Sequence, residues 1–236
     1  MCGRYKNPND PSDWAELKIR RPDWRALVPD YTGPYDPGLI IRHSPEGPEA
    51  IVADQWAYVP PYSDARHLKY STFNARLDRL KSSGVWRTAF PGQRCVIPMG
   101  GYFEWVPEAG ARKNRPWYVQ RTDHTNIYGA GLWGEWLDKS TGELIITYTL
   151  LTTEPNALML AIGHDRMPCI LSQDQRAAWL DPSITDRDAL IDLIAAPDSP
   201  APYSAQPVSY AINYRNAHGP DVLTAVGPVV EGAACV

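Results

Sequence analysis

Short runs of β-branched and aromatic residues, broken repeatedly by proline, glycine and polar turns, dominate this chain and steer it toward a sheet-rich fold. The 236 residues carry 23 prolines and 17 glycines. With proline and tryptophan concentrated in the first sixty residues, long helices are not expected there. The segments 38–42 and 50–53 read as strands between turns, and 94–98, 116–121, 126–136 and 144–153 read as further strands. Helical signals are fewer. Ser172 can cap a helix through Trp179, and Thr185 with Asp188 resembles a capped start for a helix ending near Ala196. The stretch 195–207, AAPDSPAPYSAQP, is a loop by composition, and 208–212 is strand-like again. Strands and helices do not alternate as in a doubly wound fold. The expected class is therefore α+β: a mostly antiparallel, partly closed barrel-like sheet flanked by short helices. It is expected to form one domain over residues 1–236.

A hydrophobic content of 44% supplies a sizeable core, while no stretch approaches the roughly 18 apolar residues of a membrane span. The start MCGRYKNPND lacks the apolar centre of a secretion signal, so an intracellular, cytoplasmic chain is expected. Cysteines at 2, 95, 169 and 235 form no zinc-like or disulfide-framework spacing, and no metal or cofactor is expected. The net charge of −4 argues against indiscriminate nucleic-acid binding. The charge is uneven, however. Residues 76–121 hold nine basic and three acidic side chains, a net of +6, which leaves −10 elsewhere. Such a cluster is either a solvated face or a phosphate-binding one.

Four positions carry candidate chemistry. Loss of the initiator Met1 would leave Cys2 with a free α-amine, reference pKa about 7.7 to 8.0, beside a thiol near about 8.5. This 1,2-aminothiol condenses with an aldehyde to an imine and then closes a five-membered thiazolidine. By position alone, Cys2 reads first as a residue that merely follows Met, and Gly3, which permits close backbone approach, shifts the balance slightly toward chemistry. In GGYFEW, alternation puts Tyr102 and Glu104 on one strand face. Crowding by aromatics would strip water from the carboxylate and favour a general acid; an ordinary exposed strand glutamate is the alternative. Asn74 in FNAR can cap a short helix beginning at Ala75, or its amide can orient a nucleophile. Arg76 beside it could grip phosphate. The segment PNALMLAIGHDRMP reads as a short helix closed by Gly163 that presents His164 beyond its C-terminus, with Arg166 as a further phosphate contact.

Taken together, MCGR at 1–4, FNAR at 73–76, RCVIPMGGYFEW at 94–105 and GHDRMP at 163–168 strongly resemble the SOS-response-associated peptidase (SRAP) family. The similarity continues through GAGLWGEW, TYTLLTTEPN and VSYAINYRNAHGPDVL, nearly the whole chain. The resemblance implies an α+β fold around a barrel-like sheet and a catalytic group of Cys2, Asn74, Glu104 and His164. It also implies binding of single-stranded DNA and capture of abasic sites as a thiazolidine crosslink. Peptidase (hydrolase) activity, including autoproteolytic removal of Met1, and lyase activity come with the same family. Asn74 would position the Cys2 amine, and Glu104 and His164 would carry protons. Arg4, Arg76 and Arg166 would contact the DNA. Two departures stand out. Only YTGPYDPG at 31–38 answers the family's Tyr-Asn-x-Ala-Pro-like stretch, and the tryptophan-rich loop is reduced to QWAYVPPYSD, leaving Tyr62 as the base-stacking wedge. Two other functions compete: an N-terminal-Cys amide hydrolase of the glutamine amidotransferase type, whose glutamine-site motifs are absent from the chain, and a binding module without covalent chemistry.

Overall fold

The computed structural model describes residues 2–8, 18–19, 23–195 and 203–232. Met1, the stretch 196–202 and Cys235 lie outside the described residues. The chain runs through β1 (Arg4–Lys6), β2 (Lys18–Ile19), α1 (Trp24–Leu27), β3 (Tyr31–Thr32), β4 (Gly38–Ser44), β5 (Gly47–Ala53), β6 (Gln55–Trp56) and β7 (Asn74–Arg76). A 3₁₀ turn at Leu77–Arg79 leads to β8 (Arg94–Met99), β9 (Gly101–Val106), β10 (Arg115–Arg121), β11 (Ile127–Leu137) and β12 (Leu144–Thr153). Then follow α2 (Ala157–Ala161), β13 (Met167–Pro168), α3 (Gln173–Leu180), α4 (Arg187–Ala195), β14 (Tyr203–Pro207) and β15 (Val230–Glu231).

These elements form two sheets. One orders its strands β15-β14-β10-β9-β1-β3; the other runs β13-β12-β11-β8-β4-β5-β2, with β6 and β7 also pairing with β12. The ladders are antiparallel except for β6 and β7 on β12 and β2 on β5. The larger sheet curls into a half barrel, so the expected α+β class with a partly closed, mostly antiparallel sheet holds.

Strand alternation divides the apolar residues into layers. On β4 and β5, Leu39, Ile41, Ala50 and Val52 face outward into a core closed by Trp24, Trp86, Phe90, Trp179, Leu190 and Ile194. Their neighbours Ile40, Ile51 and Ala53 face the other way, into the core between the sheets. That inter-sheet core also receives Cys2, Tyr5, Tyr102 and the α2 residues Leu158 and Met159. A third layer, built on Phe103 and Tyr118, lies on the far face of the smaller sheet under Ile212 and Val222. Strand β8 is buried along its whole length because it has a core on each side.

Three local expectations are corrected. Asn74 does not cap a helix at Ala75; it lies in β7, whose backbone is spent in the parallel ladder to Leu150, and the 3₁₀ turn begins only after Arg76. The stretch 208–212 is not a strand. The strand is Tyr203–Pro207, inside the expected loop, paired with β10, and a 3₁₀ turn at Tyr210–Asn213 follows. The α4 start is held by Asp186, whose carboxylate accepts from Ala189 N at 2.8 Å, rather than by Thr185. At α3 the expected cap holds, with Ser172 and Gln175 forming a reciprocal capping box.

Candidate active site

Backbone register assembles the site. Strand β1 pairs antiparallel with β9, setting Arg4 opposite Phe103 and Tyr5 opposite Tyr102. The residues just before β1 therefore run alongside Glu104. Alternation turns Tyr102 into the inter-sheet core while Phe103 enters the opposite layer. Glu104, on the Tyr102 face, is fully buried, so the exposed-glutamate alternative falls.

Helix α2 brings the imidazole. Asn156 caps it by accepting from Met159 N at 3.1 Å, and Tyr102 Oη donates to Met159 Sδ at 3.3 Å, tying the helix to β9. Its end is a Schellman motif: Gly163 N donates to Leu160 O and His164 N to Met159 O, each at 2.9 Å, around Gly163 at φ 85°. Only glycine takes that left-handed φ readily, so Gly163 aims the next residue. His164 Nε2 then lies 3.1 Å from Glu104 Oε2.

The proton inventory of this pair follows from geometry. His164 Nδ1 is 2.8 Å from Arg166 O, whereas Arg166 N is 3.3 Å from the same nitrogen. A carbonyl only accepts, so the shorter contact assigns the proton to Nδ1. Nε2 then meets a carboxylate, and a hydrogen bond there needs one more proton, on the ring or on Glu104. Burial opposes the charged ring. The hydrogen bond and charge of Glu104, with the Arg166 carbonyl, outweigh it and raise the His164 pKa above its ordinary value.

Cys2, just before β1, is fully buried, its Sγ donating to Arg4 O at 3.4 Å. Burial, reinforced by the charge of Glu104, pushes its thiol well above the ordinary range, so the sulfur is held protonated. Asn74 Nδ2 donates to Cys2 O at 2.6 Å, while Asn74 Oδ1 is buried and without a hydrogen-bond partner among the described residues. Cys2, Asn74, Glu104 and His164, far apart in sequence, thus converge in one place.

The four expected DNA-contact residues divide. Arg76 lies exposed at the rim in a two-pronged pair with Asp78, at 3.0 and 2.9 Å. Tyr62 is 62% exposed. Arg4 donates from Nη1 to Tyr214 O at 2.9 Å. Arg166, in contrast, is buried: it donates to Thr152 O at 2.6 Å and to Glu154 at 2.7 Å, bracing the backbone whose carbonyl orients His164. Among the described residues no His, Cys, Asp and Glu group could hold a metal.

Behind the site lies a cluster that the sequence reading did not single out. Tyr5 Oη and Tyr148 Oη are 2.6 Å apart, and Trp56 packs edge-on to Tyr5 while donating to Phe73 O at 2.7 Å, immediately before Asn74. A Cβ on Gly38 would collide with both tyrosine hydroxyls. Tyr5 and Tyr148 are separated by 143 positions, so no local pattern signals their meeting.

The family model for SOS response associated peptidase (SRAP) matches residues 1–215. The chain belongs to the SRAP family. Among its relatives, the abasic site processing protein YoqW of Bacillus subtilis is 30% identical over 169 residues, covering 72% of this chain and 74% of its own. The abasic site processing protein YedK of Escherichia coli is 25% identical across 96% of this chain and all of its own length. A Bacteroides thetaiotaomicron crystal structure shares the fold, with a TM-score of 0.82 at 24% identity, covering 95% of this chain and 100% of that one. Placed against this SRAP membership, the four buried site residues are the ones carried by the motifs that also carry the resemblance.

Proposed function

We propose that this SRAP protein processes abasic sites in single-stranded DNA by capturing the ring-opened sugar aldehyde through Cys2. The observation that carries the proposal is the convergence of Asn74 and the hydrogen-bonded Glu104–His164 pair on buried Cys2. Abasic site processing by the named relatives supports the same reading over the amidotransferase alternative.

The chemistry follows from what is protonated. With Met1 removed, the Cys2 amine adds to the C1′ aldehyde, and loss of water gives the imine. The thiol then adds across the C=N bond, its proton passing to nitrogen, and the thiazolidine closes. Because the thiol is held protonated by burial, the amine attacks first. The proton shared by Glu104 and His164 is available to the departing hydroxyl and can be taken back afterwards. An imine that is not trapped would instead promote β-elimination of the 3′ phosphate, the lyase outcome. At the same centre, attack of the thiol on the Met1 carbonyl, departure of the Cys2 amine and hydrolysis of the thioester by water would free the amine. Asn74, with one amide arm on Cys2 O, positions the nucleophile; Arg76, Tyr62 and Arg4 serve the strand at the rim, and Arg166 serves it from inside by bracing His164.

Intact-mass measurement after incubation with an abasic oligonucleotide tests the proposal. Met1-free protein is expected to gain one oligonucleotide less one water, and Cys2→Ala to give no heat-stable adduct. With Met1 attached, the Cys2 nitrogen is a resonance-delocalised amide and should not crosslink. Equal yields with Met1 demonstrably present, or a full-strength adduct from Cys2→Ala, would overturn the mechanism.

A further inference from the structure

The two strands that flank the nucleophile reach out to the same surface turn. Two residues beyond Cys2, Arg4 donates to Tyr214 O at 2.9 Å; one residue beyond Glu104, Trp105 Nε1 donates to Asn213 Oδ1 at 2.7 Å. Within the turn, Tyr214 N bonds Ala211 O at 3.2 Å and Ala217 N bonds Tyr214 O at 3.1 Å. The backbone is thus pinned on both sides while the Tyr214 ring stands 73% exposed, the most open large apolar side chain among the described residues. A rigidly presented, solvent-facing aromatic loses little conformational entropy when a flat partner stacks on it.

The same turn also gathers charge. Tyr210 Oη donates to Lys113 O and to Glu108, each at 3.2 Å, and the Arg115 guanidinium lies 4.1 Å over the Tyr210 ring. Arg115 neutralises Glu108 through a 2.9 Å contact. These contacts dock the β9–β10 loop, with exposed Arg112 and Lys113, beside the turn. An open aromatic and a basic loop therefore adjoin one turn on the Phe103 face of the smaller sheet, tied to the site strands through Arg4 and Trp105, the combination that holds single-stranded nucleic acid by stacking and phosphate neutralisation.

We infer that the turn at Asn213 and Tyr214 is a second nucleotide subsite, in which the Tyr214 ring stacks on a base flanking the lesion while Arg112 and Lys113 neutralise phosphates beyond it. This rests on the abasic-site reading above and extends it to one specific flank of the strand. Arg4, in this arrangement, serves the strand at the rim by holding the Tyr214 backbone.

The test is noncovalent binding, by fluorescence anisotropy, of single strands carrying a tetrahydrofuran abasic analogue, which has no aldehyde. One strand has flanks on both sides and two others lack one flank each. Tyr214→Ala is expected to weaken the fully flanked strand about tenfold, Tyr214→Phe to keep wild-type affinity, and the Ala effect to vanish on one of the truncated strands. Replacing Arg112 and Lys113 by Ala should flatten the salt dependence for that same flank. Equal effects on all three strands, or none, would overturn the subsite. A wild-type protein that crosslinks abasic DNA while Tyr214→Ala matches it on every strand removes only the subsite. A Tyr214 effect confined to one flank, in a protein that never crosslinks, supports the subsite and removes only the capture chemistry.

Discussion

Glu104 and Arg76 each project a charge-bearing group from a strand bordering the same nucleophile, yet one is fully buried against His164 and the other lies exposed against Asp78. Water makes the difference. An exposed pair such as Arg76–Asp78 is screened by solvent and contributes little to stability, so a phosphate could take Asp78's place at little cost. The Glu104–His164 contact sits where solvent is excluded, so the location of its single proton has large consequences. Under the proposed function, the interior of the site would move a proton and the rim would exchange partners.

The largest expected effect separates the two. Glu104→Gln keeps size but removes the proton carrier, and should slow adduct formation or reversal by about 100-fold or more while changing affinity for abasic single strands little. Single-turnover crosslinking beside anisotropy would measure both, and equal losses in rate and affinity would make Glu104 structural.

A second prediction sharpens the interior half. Because the folded-state pKa of His164 is raised above its ordinary value, the pair contributes stability that is fully present below about pH 6.5 and is lost as pH rises through the raised value. Denaturation across that window should show wild type losing stability relative to His164→Asn with increasing pH. A constant difference would mean that the ring does not titrate against Glu104.

The smallest effect tests the rim. Arg76→Ala should reduce the slope of log affinity against log salt by about 0.7, the share of one single-strand phosphate, with little change in folding. Arg166→Ala should do the reverse, lowering stability and crosslinking rate with the salt slope kept, because its guanidinium is spent on Thr152 and Glu154. If the two variants altered the salt slope alike, the division between interior and rim would collapse.

Much of this was legible in the amino-acid order alone. Period-two runs located β4, β5, β8 and β10 to β12, the Gly163 stop ended α2 where His164 begins, and alternation put Tyr102 and Glu104 on one face. Those features are short-range: they depend on φ/ψ preference and on which side chains share a surface within a few residues. Asn74 is where that reading ran out. Its local preference for capping lost to a parallel ladder with a strand about seventy-five positions away. Tyr203–Pro207 likewise looks like a loop by composition and becomes a strand because β10 offers it an edge. That Arg166 is buried against Thr152 and Glu154, and that Tyr5, Trp56 and Tyr148 meet behind Cys2, were decided only by packing. Long-range pairing sets burial, and burial decides whether a given side chain is shielded from water, held against a neighbour or left open to a partner.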